Sequence, residues 1–193
     1  MKIRITPGAI LLLLILAFSR SLFFAASLLA ALFHECGHLL AARLLGIRIA
    51  LLELDLGGAR LYPARIIRSY RAEGLLAAAG PFFSLLLALL LTGRSSPLAA
   101  ALRAATLSLA LFNLLPIEGF DGGRMLCALL ASFLPEEGVR SLLSITSYAV
   151  LLLLFSLSSC LLLRFGESPM LAVLSASIFA RQFLPTQESA SGK

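Results

Sequence analysis

The stretch Phe33-His34-Glu35-Cys36-Gly37-His38 holds the chain's two histidines, four residues apart, with a glutamate beside the first. On an α-helix, residues four apart lie about 40° from each other around the axis, one turn on. Two imidazoles so placed can hold one zinc ion, and Glu35 beside them is a candidate general base for hydrolysis. Cys36 falls about 200° from His34 and points away, so it is a poor ligand, whereas Gly37 lies near the ligand face and leaves room there. The competing reading is a pair of histidines packed at a helix interface. The motif sits in an apolar run, however, where ionisable groups are costly and usually serve a function.

A catalytic zinc held by two His needs a third protein ligand and keeps one position open for water. Acidic residues are few: besides Glu35 there are Glu53, Asp55, Glu73, Glu118, Asp121, Glu136, Glu137, Glu167 and Glu188. Asp121 stands out because it follows a broken apolar run and precedes Gly122-Gly123. Glu118, three residues earlier, is its competitor.

The elements that must position these groups read as membrane helices. The chain has 193 residues, 60% hydrophobic and 13% charged, against about a quarter charged in ordinary soluble domains. Long apolar runs recur throughout, which predicts one integral membrane domain, an all-α polytopic fold of about six transmembrane helices. The expected spans are 8–19, 21–46, 74–92, 98–115, 139–163 and 168–184, the first being short and interrupted by Arg20. Lys2 and Arg4 precede an apolar run as in a signal peptide, but no small-residue cleavage site follows, so an uncleaved first span is expected. Residues 21–46 would rise about 39 Å as a helix, enough to cross a core about 30 Å thick with some tilt, with Gly46 as its stop. Glu35 would then lie roughly 16 Å along the helix from that end, below the membrane surface.

Between these helices, Ala50 to Leu56 alternates in the manner of a strand, and Gly57-Gly58 reads as a hairpin turn into Ala59–Tyr62, ended by Pro63. The result is a small membrane-edge β-hairpin, whose open edge could accept an extended peptide. Gly80-Pro81 predicts a kink or break in its span. Pro116, Gly119 and Gly122-Gly123 predict non-helical backbone, tolerated at membrane depth only where it is buried in protein or lines a cavity. An apolar helix is expected to resume over 125–134. The net charge of +6 comes from arginines at the ends of apolar runs, which the positive-inside rule explains without nucleic acid. By the same rule the 47–73 segment, with Arg48, Arg60, Arg65, Arg68 and Arg71, faces the cytoplasm, and the Asp121 segment opens to that side. Cys36, Cys127 and Cys160 form no C-x-x-C and read as small apolar residues.

His34-Glu35-Cys36-Gly37-His38, then Ala79-Gly80-Pro81, then Asn113-Leu114-Leu115-Pro116 with Asp121-Gly122-Gly123-Arg124 together resemble the site-2 protease family of intramembrane zinc metalloproteases. The resemblance covers roughly residues 20–130, the family's three-helix catalytic core, with 1–19 and 139–184 as accessory helices. It implies one Zn2+ per chain held by His34, His38 and Asp121, with Glu35 as catalytic base and Asn113 as a polar group near bound substrate. The family often has Asn shortly after its Ala-Gly-Pro; here Phe82, Phe83 and Ser84 follow, and no polar role is carried over to Ser84. The compact length is similar to the bacterial branch that includes the sporulation proteases acting on a membrane-tethered pro-sigma factor. The implied partners are a membrane-tethered protein substrate and the lipid bilayer, with a regulatory membrane protein as an option; the implied location is the bacterial cytoplasmic membrane. Three rivals stand beside this: a membrane metalloprotease of the prenyl-protein processing type, which would favour a glutamate such as Glu118 as third ligand; a zinc transporter, which would spread metal-binding groups along a pathway; and a non-catalytic membrane scaffold, which would have no need of Glu35.

Overall fold

Lys2-Ile3-Arg4-Ile5 alternates charged and β-branched side chains, the period of a strand, and in this computed structural model it forms β1 (Lys2–Ile5). The structure describes residues 2–18, 21–55, 58–67 and 69–165. Thr6 Oγ1 accepts the Ala9 N–H and starts α1 (Pro7–Phe18). Its 12 residues rise only about 18 Å, too little to cross a hydrocarbon core. Ser21 caps the motif helix α2 (Leu22–Leu44) by accepting the Phe24 N–H. That helix ends in paired bonds from Gly46 N–H to the Arg43 carbonyl and from Ile47 N–H to the Ala42 carbonyl. This C-terminal stop needs the left-handed φ of 68° that Gly46 adopts.

The predicted hairpin is present as β2 (Ile49–Asp55) and β3 (Gly58–Pro63); of the expected turn pair, Gly58 belongs to β3 and Gly57 lies outside the described residues. Its neighbour β1 was not expected. β1 pairs parallel to β2, with Lys2 opposite Leu51 and Ile5 opposite Leu54, so β2 is the middle of three strands. Lys2 and Arg4 therefore belong to a sheet. The Glu53 carboxylate joins the strands on either side, accepting from the Tyr62 hydroxyl at 2.9 Å and pairing with Arg4 at 3.4 Å.

Ser69 and Ser96 cap the next two helices, α3 (Tyr70–Leu90) and α4 (Pro97–Asn113), the second with proline at its first position. Of the kink or break expected at Gly80-Pro81, there is no break: α3 runs on through both residues. Both residues are buried in the helix packing, which holds the segment helical despite the N–H that Pro81 lacks. The non-helical backbone after α4 is present, and Gly119 makes its turn at φ 89°. The next helix begins earlier than expected: α5 (Asp121–Leu130) already contains Gly122 and Gly123. α6 (Glu136–Phe165) follows.

α2, α3 and α4 pack against one another, α5 packs on α3, and α6 meets α5. The buried faces are made of small residues: Ala26, Ala30, Gly37 and Ala42 on α2, Ala77, Gly80 and Ser84 on α3, and Ala99, Ala105 and Ala110 on α4. Leu29, Leu32, Phe82, Leu89, Leu111, Leu152 and Leu153 point outward. Small residues inside and large apolar ones outside is the arrangement of helices that pack in lipid. Among the described residues, three helices are long and apolar enough to cross a membrane: Leu22–Leu44, Tyr70–Leu90 and Glu136–Cys160. Of the other three expected spans, 8–19 is the short α1, 98–115 is the shorter apolar α4, and 168–184 lies outside the described residues.

Candidate metal centre

The helical spacing of His34 and His38 puts both on the buried face of α2, and both are almost wholly enclosed. Gly37 lies between them and lets α3 approach: a side chain there would strike the Ala79 carbonyl at 2.7 Å and Phe83 at 2.9 Å. Gly80 does the reciprocal service from α3. A Cβ on Gly80 would run into the Nε2 atoms of both His38 and His34. The Ala-Gly-Pro segment thus has a steric task that helical periodicity alone did not disclose.

Asp121 comes from the start of α5. Its oxygen reaches the histidines only because the preceding loop folds tightly over that helix. A Cβ on Gly122 would strike the carbonyls of Leu114 and Leu115, and one on Gly123 would strike the Ile117 carbonyl. The glycine pair thus serves loop-to-helix packing inside α5, where a broken backbone was expected. α6 holds the loop from outside: the Glu118 N–H donates to the buried Ser147 Oγ at 2.8 Å, and Thr146 Oγ1, which donates to the Leu143 carbonyl at 2.9 Å, also approaches the Pro116 carbonyl at 3.4 Å. Arg124 reaches Glu73 on α3 at 3.8 Å, a weak, half-exposed link.

Three atoms converge in the result. His34 Nε2 and Asp121 Oδ2 are 3.0 Å apart; His38 Nε2 is 3.2 Å from each. The rear nitrogens are also engaged. His38 Nδ1 lies 2.8 Å from the Leu76 carbonyl, which can only accept, so the proton sits on Nδ1 and in the neutral ring Nε2 presents a lone pair. His34 Nδ1 lies 3.0 Å from Ser84 Oγ. A carboxylate and an imidazole lone pair converging on one buried point repel one another unless a proton or a metal cation lies between them. Tetrahedral zinc with bonds of about 2.0–2.1 Å would set its ligand atoms roughly 3.3 Å apart, close to the distances seen. The donor set fits zinc in chemistry and in size.

Among the described residues, His34, His38 and Asp121 are the one group so arranged. Glu35, half-buried on the same helix turn, lies within electrostatic range of all three. Cys36 faces outward, as its helical angle predicts. Glu118 is exposed and outside the cluster. Asn113 ends α4 and donates its side-chain amide to the Leu109 carbonyl at 3.0 Å. Ser84, to which the family resemblance carries no polar role, is bonded to His34. Its burial and its bond to His34 could have been suspected from one signal, a lone hydroxyl on an otherwise apolar face of α3.

A solved structure described as a site-2 protease from Methanocaldococcus jannaschii superposes on 93% of this chain and 89% of its own, with a TM-score of 0.62 and 23% identity. The chain has the fold of a site-2 protease. No protein-family model and no curated protein matches it. On that fold, the convergence of the α2 histidines with the first residue of α5 gives the site-2 protease likeness a chemical counterpart in this chain's own side chains.

Proposed function

We propose that this chain is a zinc-dependent intramembrane protease that hydrolyses a peptide bond in or near the transmembrane segment of a membrane-tethered protein. The observation that carries the proposal is the meeting of His34, His38 and Asp121 at 3.0–3.2 Å, buried among apolar helices with Glu35 alongside. Zinc bound there would polarise a scissile carbonyl and make a water molecule acidic enough to attack near neutral pH. The three ligands hold their donor atoms ready, and the packed helices exclude bulk water. Glu35 accepts the proton of the attacking water and delivers it to the leaving amine. Asn113, at the mouth of the loop, would pair with substrate backbone once its bond to Leu109 is exchanged. The substrate must unwind locally to expose its peptide bond, since a helix ties up its own carbonyls.

The prenyl-processing alternative would take a glutamate as third ligand, and the exposure of Glu118 weighs against it. Likeness to the sporulation branch extends the proposal to regulated release of a transcription-factor precursor, with a regulatory membrane protein as a further partner. The arginines of the 47–73 segment support a site opening towards the cytoplasm. The test is purified Glu35→Gln in detergent, assayed on fluorescent single-span transmembrane peptides. It should keep about one zinc per chain and lose cleavage by on the order of 10²–10⁴-fold. Cleavage at the wild-type rate would remove Glu35 from the mechanism.

A further inference from the structure

Ser84 is completely buried in the middle of α3, on a face otherwise made of Leu76, Ala77, Gly80, Pro81 and Ala88. A hydroxyl enclosed among apolar helices costs free energy unless it is bonded, and here it faces one ring nitrogen of His34 at 3.0 Å. We propose that Ser84 is a positioning residue for the metal centre. Its oxygen accepts the Nδ1–H of His34 and thereby holds the ring in the tautomer whose Nε2 lone pair faces His38 and Asp121.

The other histidine shows the same arrangement with an unambiguous partner. His38 has its tautomer set by the Leu76 carbonyl at 2.8 Å, an acceptor with no proton to give. Leu76 and Ser84 lie on the same buried face of α3, two helical turns apart, and bracket Gly80, which lets both rings lie against the helix. One helix therefore supplies the rear partner of both imidazoles. A serine can also donate, however, and donation to Nδ1 would put the proton on Nε2 and block a metal. Only the accepting arrangement makes the two histidines equivalent as ligands. Such rear partners fix ring orientation, and their loss typically costs 10–100-fold in metal affinity.

This inference rests on the metal reading above, and the experiment separates the two. Zinc affinity is measured by chelator competition on the detergent-purified full chain, for wild type and Ser84→Ala, and the tautomer of each histidine ring is read from its nitrogen NMR shifts in the same metal-free proteins. Ser84→Ala removes one atom and leaves no steric conflict. The expected result is about a 10–100-fold weaker zinc affinity for Ser84→Ala, with the His34 ring shifts changed and those of His38 kept. Unchanged affinity in Ser84→Ala overturns the role of Ser84 while leaving the metal centre standing. So does a loss of affinity with the His34 shifts unchanged, which would mark a structural hydroxyl acting elsewhere. Failure of the wild-type protein to take up zinc overturns the metal reading itself, and the Ser84 inference with it.

Discussion

Two acidic residues three positions apart compete for one role, and their surroundings separate them. Asp121 is nearly enclosed and has its Oδ2 against both imidazoles; Glu118 is exposed, with its backbone N–H bound to Ser147. We therefore expect Asp121→Ala to lose its zinc and Glu118→Ala to keep about one ion per chain, measured by metal analysis after gel filtration. A zinc site needs three protein ligands, so two histidines left alone in a greasy pocket will not retain the ion through purification. The reverse result would move the chain to the glutamate-ligand class. Gly80 is the other residue whose identity the site dictates. Gly80→Ala places a methyl group where the two Nε2 atoms lie, so zinc content should fall even though the substitution favours the helix by about 1 kcal/mol. A stable helical protein without zinc is the outcome to look for, by circular dichroism alongside metal analysis.

α3 is the element on which the centre is assembled. It carries the close approach at Gly80, the acceptors Leu76 and Ser84, and the surface that receives α5. The third ligand depends instead on a short loop clamped between α5 and α6. Gly122→Ala would push a methyl into the Leu114 carbonyl, and overpacking of this kind costs about 1–3 kcal/mol. Denaturation in detergent should show that loss, accompanied by weaker zinc binding as Asp121 is displaced. Ser147→Ala removes the acceptor of the Glu118 N–H and should cost about 1 kcal/mol, with a smaller effect on zinc because the glycine contacts remain. If Ser147→Ala disturbed zinc more than Gly122→Ala, the loop would be positioned by α6 and not by its own packing.

The molecule as a whole is turned inside out relative to a soluble protein. Alanine, glycine and serine meet at the helix contacts, and leucine and phenylalanine cover the outside. That places a polar, ion-ready centre within a surface suited to hydrocarbon, and it makes orientation a physical question with a direct measurement. In a variant whose three cysteines are replaced, a cysteine introduced at the exposed Arg65 should react with a membrane-impermeant maleimide only from the cytoplasmic face. Labelling from outside would invert the topology and move the centre's opening to the other side of the membrane.

Local rules carried far along this chain. The angle between His34 and His38, the outward Cys36, the Gly46 stop, the hairpin ended by Pro63 and the loop after Asn113 all follow from periodicity and backbone preference, which neighbouring residues decide among themselves. Where the chain had to be brought back on itself, those rules gave out. β1 alternates like a strand, but four residues are too short a signal to tell from a charged helix start until β2 lies beside them. Sequence alone offers a kink or a break at Gly80-Pro81, and α3 stays helical there because of packing that comes from α2. Gly122 and Gly123 were assigned to broken backbone because the carbonyls they must clear belong to the folded loop. The family resemblance carries no polar role to Ser84, whose partner His34 is fifty residues away in sequence. Residue types and their spacing determined which groups could do chemistry here. Only tertiary structure decided which of them meet, because a metal centre is a set of distances between elements, and no single helix holds the third ligand.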